Sequence, residues 1–236
     1  MCGRYVSPDQ AAIERHWQLA KGGSESFARR FNVSPTLPVP VLLVRDGGLE
    51  LETARWGLIP HWWKQDKPPR FGHNARVEEA AAKPMWREPL RSWRGLMPAD
   101  GWYEWMPVER VDAASGEVKT GKQPYYFRRR DSEPFGIAAL LSRWRPAANS
   151  ESVLTCALLT TQADGAAAQM HDRMPIIIPR SAERAWLAPG RLSAEDDQAL
   201  LRDYRFGDKY VAFPVRNLVS NSRAEGPALI EPLQPA

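Results

Sequence analysis

Short apolar runs bounded by turn-forming residues predict that this chain is built mostly of β-strands. The runs Val39–Arg45 and Leu49–Arg55 flank the tripeptide Asp46–Gly48, and this pattern is typical of a β-hairpin. The other predicted strands are Gly95–Pro98, Trp102–Met106, Tyr125–Arg130, Phe135–Trp144, Val153–Thr161, Ile176–Ile178 and Tyr210–Val219. We expect Tyr125–Arg130 to pair with Phe135–Trp144, and Val108–Gln123 to form a long hairpin loop.

Helical signals are fewer and lie between or after the strands. Ser7–Gln10 contains an N-cap at Ser7, a proline and a capping-box partner, which predicts a helix to about Ala20 with Ile13 and Trp17 on one face. The other predicted helices are Glu78–Lys83, Pro84–Arg91, Asp164–Met170 and two C-terminal helices capped by Ser181 and Ser193. Successive hairpins without βαβ alternation indicate an α+β fold, with a mostly antiparallel sheet or open barrel and peripheral helices.

The composition is that of a globular protein. Of 236 residues, 43% are hydrophobic and 25% are charged, which excludes long-range disorder and favours a single domain over residues 1–225. Residues 226–236 contain three prolines and are expected to form a poorly ordered tail. No apolar run approaches the roughly 20 residues of a membrane span. We therefore expect a monomer without membrane contact in the cytoplasm, associated with the nucleoid if the organism is bacterial.

Charge and cysteine content narrow the chemistry only slightly. A formal net charge of +4 permits nucleic-acid binding without requiring it. The two cysteines, Cys2 and Cys156, are far apart and lack CxxC spacing, so we expect no disulfide framework, no metal and no cofactor. Cys156 lies in an apolar strand and is expected to be a small buried side chain.

The position of Cys2 is the most unusual feature of the sequence. Initiator methionine is trimmed before small residues, so we predict a mature chain that starts at Cys2 and carries an amine and a thiol on adjacent carbons. Both groups supply some reactive form near neutral pH. With an aldehyde, the amine forms an imine and the thiol closes a thiazolidine ring. The alternative is that position two is unconstrained and the cysteine has no role.

Asn74, Arg76 and Glu104 are candidate ligand-binding or catalytic residues. Asn74 and Arg76 could hold a polar or anionic ligand, although such residues taken alone are more often a helix cap and an exposed charge. Glu104 alternates with aromatic residues on a strand suited to burial, and a buried carboxylate needs a partner or a function. A glutamate on an edge strand that faces water is the alternative.

Two further groups could contact a substrate. His171 precedes Asp172 and Arg173, and an imidazole transfers protons near neutral pH, while His16, His61 and His73 are interpreted as structural. In the predicted surface loop of residues 61–72, Trp62 and Trp63 lie among basic residues, a pattern by which single-stranded nucleic acid is bound. A packed pair of core tryptophans is the alternative.

Six short motifs follow one another along the chain: MCGRY at Met1, RWGLIP at Arg55, NAR at Asn74, PADGWYEW at Pro98, TTQA at Thr160 and HDRMP at His171. Together, and in this order, they resemble the SOS-response-associated peptidase (SRAP) family, also described as abasic-site processing proteins. The resemblance runs from Met1 to about Asn221. Its departures are NARVEE for the usual NARAET, Leu96 for a cysteine, and PMW for a phenylalanine motif.

The resemblance implies a reaction and a partner. Mature Cys2 would form a thiazolidine with the ring-opened aldehyde of an abasic site in single-stranded DNA and shield the lesion. Asn74 would orient the sugar or the Cys2 backbone, Glu104 would handle the α-amine and its proton transfers, and His171 would protonate the sugar oxygen as the ring opens. The family is also linked to lyase activity, crosslink reversal and peptidase chemistry.

The resemblance also implies a set of DNA-binding residues. Phosphate ligands would be Arg4, Arg76 and Arg173. A wedge in the base stack would be formed by Trp62 or Trp63 with Pro40, and Trp105 would make a further DNA contact.

Two rival functions remain open at this point. An N-terminal-nucleophile amidohydrolase can also begin with Met, Cys and Gly, and its thiol would attack an amide. A non-enzymatic single-strand binding module would use only the tryptophans and arginines, and it would bind intact and abasic DNA equally.

Overall fold

Thirteen strands are the main secondary structure of the described chain. The computed structural model describes residues 2–19, 26–65, 67–70, 72–111, 117–146, 150–190 and 209–233, with the backbone alone at 110 and 111. The strands are β1 (Tyr5–Ser7), β2 (Arg30–Val33), β3 (Pro38–Arg45), β4 (Gly48–Trp56), β5 (Asn74–Arg76), β6 (Arg94–Ala99), β7 (Gly101–Val111), β8 (Val118–Arg129), β9 (Phe135–Trp144), β10 (Val153–Gln162), β11 (Arg173–Pro175), β12 (Ile177–Ile178) and β13 (Tyr210–Pro214).

The helices in the described residues are short and few. They are α1 (Gln10–Trp17), α2 (Val77–Ala80), α3 (Pro84–Ser92), α4 (Gly165–Ala168) and α5 (Arg180–Leu187), with short 3₁₀ helices at Asn217–Ser220 and Pro227–Leu229. Within the described residues, no helix is both long and apolar enough to cross a membrane.

Five strands close into a barrel. Their order is β10, β4, β3, β6 and β9, and the pairing of β9 with β10 completes the ring. Most pairings are antiparallel, so the predicted α+β fold with an antiparallel, barrel-like sheet is confirmed. The exceptions are β4 and β5, which both run parallel to β10.

A second sheet packs against this barrel. Its order is β13, β8, β7, β1 and β2, so the first strand of the chain is an inner strand with a partner on each side. Trp102 and Phe127 of this sheet stack with ring centroids 4.9 Å apart, and both are buried in the same apolar cluster as the barrel residues Val41, Ile137 and Leu158. The core between the two sheets also contains Cys2, which positions the candidate site.

Helix α1 packs on the outside of the barrel through the predicted face. Ile13 and Trp17 are buried, as expected. The Trp17 Nε1–H group donates to Glu183 Oε2 at 3.0 Å, and Arg180 donates to the same carboxylate at 2.6 Å. This buried carboxylate joins α1 to α5.

Two predicted helix caps are wrong. Asp9 caps α1 by accepting a hydrogen bond from the Ala12 amide at 2.8 Å, because Ser7 is the last residue of β1 and lies before the helix. Ser181 lies inside α5, whose N-cap is Pro179. Ser193 lies outside the described residues. By contrast, the hairpin of β3 and β4 is confirmed, with Asp46 and Gly47 both at positive φ in its turn.

The long hairpin of β7 and β8 corrects the predicted loop. Pairing continues from Trp102–Phe127 out to Val111–Val118, so much of the expected loop is strand. The expected pairing of β8 with β9 is also wrong. β8 pairs with β7 and β13, whereas β9 belongs to the barrel.

The end of the described chain is more ordered than predicted. The last strand, β13, ends at Pro214, and a 3₁₀ helix occupies Asn217–Ser220. The prediction of a poorly ordered tail is wrong over residues 226–233, because Leu229 is 2% exposed in an apolar cluster. The Leu233 amide also donates to the Pro214 carbonyl at 2.9 Å. Residues 234–236 lie outside the described residues.

At Gly101, β7 approaches β8 too closely to leave room for a side chain. A Cβ at Gly101 would meet the Phe127 carbonyl oxygen and lie 2.5 Å from two ring atoms of Tyr126, whereas at Gly121 in the same hairpin the nearest atom would be 3.9 Å away. We expect Gly101→Ala to lower the free energy of unfolding by about 2 kcal/mol. Gly121→Ala should change it by less than about 0.5 kcal/mol. Urea denaturation measures both, and equal effects would contradict this packing.

Candidate active site around Cys2

Cys2 is buried because the strand that follows it is an inner strand. The Cys2 side chain is 0% exposed. In β1, Tyr5 pairs with Trp102 on one side and with Val33 on the other, and the Tyr103 amide donates to the Arg4 carbonyl at 3.0 Å. The Asn74 Nδ2 group donates to the Cys2 carbonyl at 2.8 Å. The backbone at Cys2 is thus held by two separate parts of the chain.

Strand β5 places Asn74 at this position. It runs parallel to β10 with Asn74 beside Leu158 and Arg76 beside Thr160. Side chains alternate along a strand, so the buried Ala75 packs on one face while Asn74 and Arg76 point to the other. The Asn74 Oδ1 atom is buried and has no hydrogen-bond partner among the described residues. A donor from a substrate could therefore bind there.

Glu104 faces the same core as Cys2. Along β7, Trp102 packs in the cluster that contains Cys2, and Tyr103 packs in the cluster on the opposite face of the sheet, so alternation directs Glu104 to the side of Trp102. Glu104 is 3% exposed. Burial raises the pKa of its carboxyl to about 7, and the positive charge of the chain's amino terminus partly opposes this shift. The carboxyl can therefore accept or release a proton near neutral pH.

The Cys2 thiol is protonated in this environment. Burial raises its pKa far above the ordinary value, and the negative charge of Glu104 adds to the effect. The charge of the amino terminus and a backbone hydrogen bond from Arg4 act in the opposite direction. A base must remove the proton before the sulfur can act as a nucleophile, and Glu104 is a buried acid whose charge already acts on this thiol.

His171 lies at the mouth of the site, immediately before β11. Its side chain is 29% exposed, and Nδ1 lies 2.7 Å from Asp172 Oδ1 and 2.9 Å from the Arg173 amide nitrogen. Burial lowers the pKa of His171, as does the charge of the amino terminus, while Asp172 opposes both. When the ring is neutral and Nδ1 accepts from the amide, the proton is on Nε2 and can be donated to a ligand.

Arg173 is buried and held by Glu78. The guanidinium makes a two-pronged contact with the Glu78 carboxylate at 2.9 and 2.8 Å and donates to the Thr160 carbonyl at 2.6 Å. In turn, Arg173 holds the pKa of Glu78 below its usual range, against the opposing effect of burial. This pair joins β11, which follows His171, to α2, which follows Asn74. Sequence reasoning missed Glu78, although its place in NARVEE marks it as a neighbour of Asn74.

A groove of about 630 Å³ has Asn74 in its wall. We call it the aromatic groove. It is lined by Trp62, Trp63, Met85 and Trp86, by prolines, by the cations Arg70, Arg76 and Lys83 with Glu79 beside them, and by Asn74 and Thr160. Trp62 is 46% exposed and lies at a ring-centroid distance of 6.1 Å from Trp63. Sequence reasoning gave no role in binding to Met85, Trp86, Lys83 or Thr160, because the groove is formed by segments that are distant in sequence.

The remaining predicted DNA-binding residues do not line this groove. Arg4 donates to Asn32 Oδ1 at 2.7 Å, and Trp105 Nε1 donates to Ser220 Oγ at 2.9 Å. Pro40 is buried in β3 and lines another cavity, of about 460 Å³. The structure therefore does not bring Pro40 and the tryptophan pair to one cavity.

No candidate metal centre accompanies these side chains. Within the described ranges, no group of three or more His, Cys, Asp or Glu side chains is arranged to hold a metal ion. Both cysteines are free and buried. Cys156 is 0% exposed in the core, as expected for a structural side chain.

The fold and the order of these residues define a known class of protein. The chain belongs to the SOS response associated peptidase (SRAP) family, whose model matches residues 1–222. It is 34% identical over 202 residues to "Abasic site processing protein YoqW" of Bacillus subtilis, with 85% of each chain covered. It is 32% identical over 204 residues to "Abasic site processing protein YedK" of Escherichia coli, which covers 86% of this chain and 85% of that protein. A crystal structure of a protein from Bacteroides thetaiotaomicron superimposes with a TM-score of 0.72 at 25% identity, covering 86% of this chain and 85% of that one.

The raised pKa of Glu104 predicts how stability depends on pH. Its pKa is about 7 in the folded protein and about 4.3 in an unfolded chain. Between these values the folded state binds more protons, so the free energy of unfolding falls as pH rises. We expect Glu104→Gln to remove this dependence, which amounts to about 2 to 3 kcal/mol between pH 5 and pH 8.

Urea denaturation at both pH values measures this effect. Glu109→Gln is the matched control because Glu109 is an exposed residue of the same strand. A wild-type protein and a Glu104→Gln variant with parallel pH profiles would contradict the burial of a titrating carboxyl.

Proposed function

We propose that this protein captures abasic sites in single-stranded DNA by forming a thiazolidine between mature Cys2 and the ring-opened aldehyde. The observation that carries the proposal is the hydrogen bond of 2.8 Å from Asn74 to the Cys2 carbonyl, next to a buried carboxyl with a pKa of about 7. This arrangement holds a 1,2-aminothiol beside a group that can transfer protons. The names of the relatives, which are abasic site processing proteins, support the substrate.

The reaction is a condensation that needs no oxidant. The amine of Cys2, freed by removal of Met1, adds to the aldehyde carbon, and the resulting carbinolamine takes up one proton and loses one water to give an iminium ion. The thiol sulfur then adds to the iminium carbon and releases its proton, which closes the ring. The products are one thiazolidine and one water molecule.

Each side chain has a distinct part in this sequence. Glu104 accepts the thiol proton, because its pKa of about 7 makes its carboxylate available near neutral pH. His171 donates a proton from Nε2 to the sugar oxygen as the hemiacetal opens. Asn74 fixes the Cys2 backbone through Nδ2 and offers its buried Oδ1 atom to a donor of the sugar.

The surface around the site suits an extended DNA strand. In the aromatic groove, tryptophan rings offer stacking surfaces for bases, and Arg76 offers a phosphate contact at the mouth. Arg4, Trp105 and Pro40 would contact neighbouring nucleotides. Arg173 is already bound to the carboxylate of Glu78. A phosphate would therefore have to share the guanidinium with Glu78 or displace it. We infer that the protein acts as a monomer through a single domain. A single strand exposes the lesion without the cost of opening a duplex.

The direct test is a covalent adduct with abasic DNA. Mature protein is mixed with a single-stranded oligonucleotide that carries one abasic site, and the product is followed by denaturing gel and intact mass. We expect a heat-stable adduct whose mass is that of both reactants less one water, and no adduct from Cys2→Ala or from a protein with an N-terminal extension.

Cys156→Ala is the matched control because it removes the other buried thiol, and it should form the adduct like the wild type. Absence of the adduct in the wild type, or equal yields with and without Cys2, would overturn the proposal. In that case, hydrolysis of glutamine by the purified protein would favour the amidohydrolase alternative.

The two proton-transfer roles can be separated by the choice of aldehyde. Glu104→Gln should slow adduct formation at least about 10²-fold on an abasic site and on an oligonucleotide that carries an open-chain aldehyde. His171→Gln should slow the reaction only on the abasic site, because only that substrate must open a hemiacetal. Rates come from quenched time courses, with Glu109→Gln as the control. Equal slowing of both substrates by His171→Gln would contradict its assigned role.

A further inference from the structure

Three cations follow one face of α3. Lys83, Arg87 and Arg91 are spaced four residues apart, and all three are exposed. Residues at this spacing lie on the same side of a helix, and the row extends over about 12 Å. Trp86 and Leu90 attach the helix to the core, and the row of cations runs along the edge of this buried face. We call this row the α3 basic stripe.

Arg87 and Arg91 form no contact within the described residues that would explain their charges. Neither the Arg87 nor the Arg91 side chain has a hydrogen-bond or ion-pair partner among the described residues. Lys83 pairs with Glu79. The only carboxylate of α3, Glu88, accepts a hydrogen bond from Ser92 Oγ at 3.0 Å. No described residue therefore competes with an anion for Arg87 or Arg91.

The α3 basic stripe begins in the wall of the aromatic groove. Lys83 lines this groove together with Asn74, Arg76 and Trp62. From Lys83, the axis of α3 carries the row of cations away from the site. A chain of negative charges that leaves the groove on this side meets Arg87 and then Arg91.

We propose that the α3 basic stripe binds the phosphodiester backbone of the DNA strand beyond the lesion. This inference rests on the proposed function, and it extends the DNA path past the residues around Cys2. Binding of this kind neutralises phosphates and releases their counterions, so it does not depend on base sequence. It would hold the strand in the groove before the slow covalent step.

A solvated helix face is the alternative explanation of this row. Arg91 lies in the last turn of α3, where a cation is favourable on its own. That effect changes the stability of the protein but not the salt dependence of DNA binding. The two explanations therefore differ in one measurable slope.

The test uses a single-stranded oligonucleotide with a tetrahydrofuran abasic analogue, which has no aldehyde and binds without reacting. Fluorescence anisotropy gives the association constant over a range of salt concentrations. Each phosphate contact in a single strand contributes about 0.7 to the slope of log K against log salt. Arg87→Gln and Arg91→Gln should each reduce this slope by about 0.7, and the double variant by about 1.4.

Arg15→Gln is the matched control. Arg15 is an exposed arginine of helix α1 that lines a separate cavity, and its loss should leave the slope unchanged. Methylphosphonate linkages on one side of the lesion supply a second measurement. They should lower the slope of the wild type and have no further effect on the double variant.

A double variant with the wild-type slope would overturn the proposal. So would an equal change in the slope for Arg15→Gln. The outcome is independent of the proposed function, because formation of the covalent adduct by the wild type tests that function separately. An adduct without a change of slope would leave Cys2 chemistry in place and reject the α3 basic stripe.

Discussion

The architecture depends on the first strand of the chain having a partner on each side. Chain termini usually fray, but β1 lies between β7 and β2 and cannot leave without breaking the sheet. The same pairing places Trp102 opposite Tyr5, two residues before Glu104. The position of the candidate nucleophile and the position of its candidate base are therefore set by one pair of strands.

The strand order of the barrel brings Asn74 and His171 to the site. β10 is the common partner, because β5 runs parallel to it and β11 antiparallel near the same end. Asn74 and His171 are far apart in sequence but adjoin one strand. The contact of Glu78 with Arg173 then ties these two elements together. A change in β10 would move both side chains at once, whereas Glu104 would stay with the other sheet.

The sequence pattern correctly predicted those features that depend only on residues close together in the chain. The hairpin of β3 and β4 and the buried face of α1 were predictable because their signals, a turn tripeptide and a helical period, lie within a few residues. For Glu104, the sequence left two possibilities open, a buried functional carboxylate and a glutamate that faces water. Alternation along β7 shows which residues share a face but not which face is buried. Burial depends on the barrel that packs there, and no local signal describes that barrel.

The errors have the same physical origin. β8 and β9 are adjacent in sequence and suited to a hairpin, yet β9 joins the barrel, where it gains partners on both sides. Polar residues in the outer half of β7 and β8 looked like a loop, because strands exposed on both faces do not alternate. The prolines around Leu229 led to the prediction of a poorly ordered tail. Its burial comes from a cluster formed with Val6 and Tyr103, which are distant in sequence.

Electrostatics connect the proposed capture step to its reversal. In the chain that begins at Met1, the charge of the amino terminus lowers the pKa of Cys2, Glu104 and His171. It therefore favours the thiolate and the carboxylate, which are the forms of Cys2 and Glu104 that ring closure requires. Under the proposed function, a thiazolidine nitrogen is a weaker base than a primary amine and carries no charge near neutral pH. A Cys2 nitrogen without charge would no longer favour the carboxylate of Glu104, so the carboxyl would keep the proton taken from the thiol. The protonated carboxyl of Glu104 would then lie next to the thiazolidine ring and supply the proton that reopening of the ring requires.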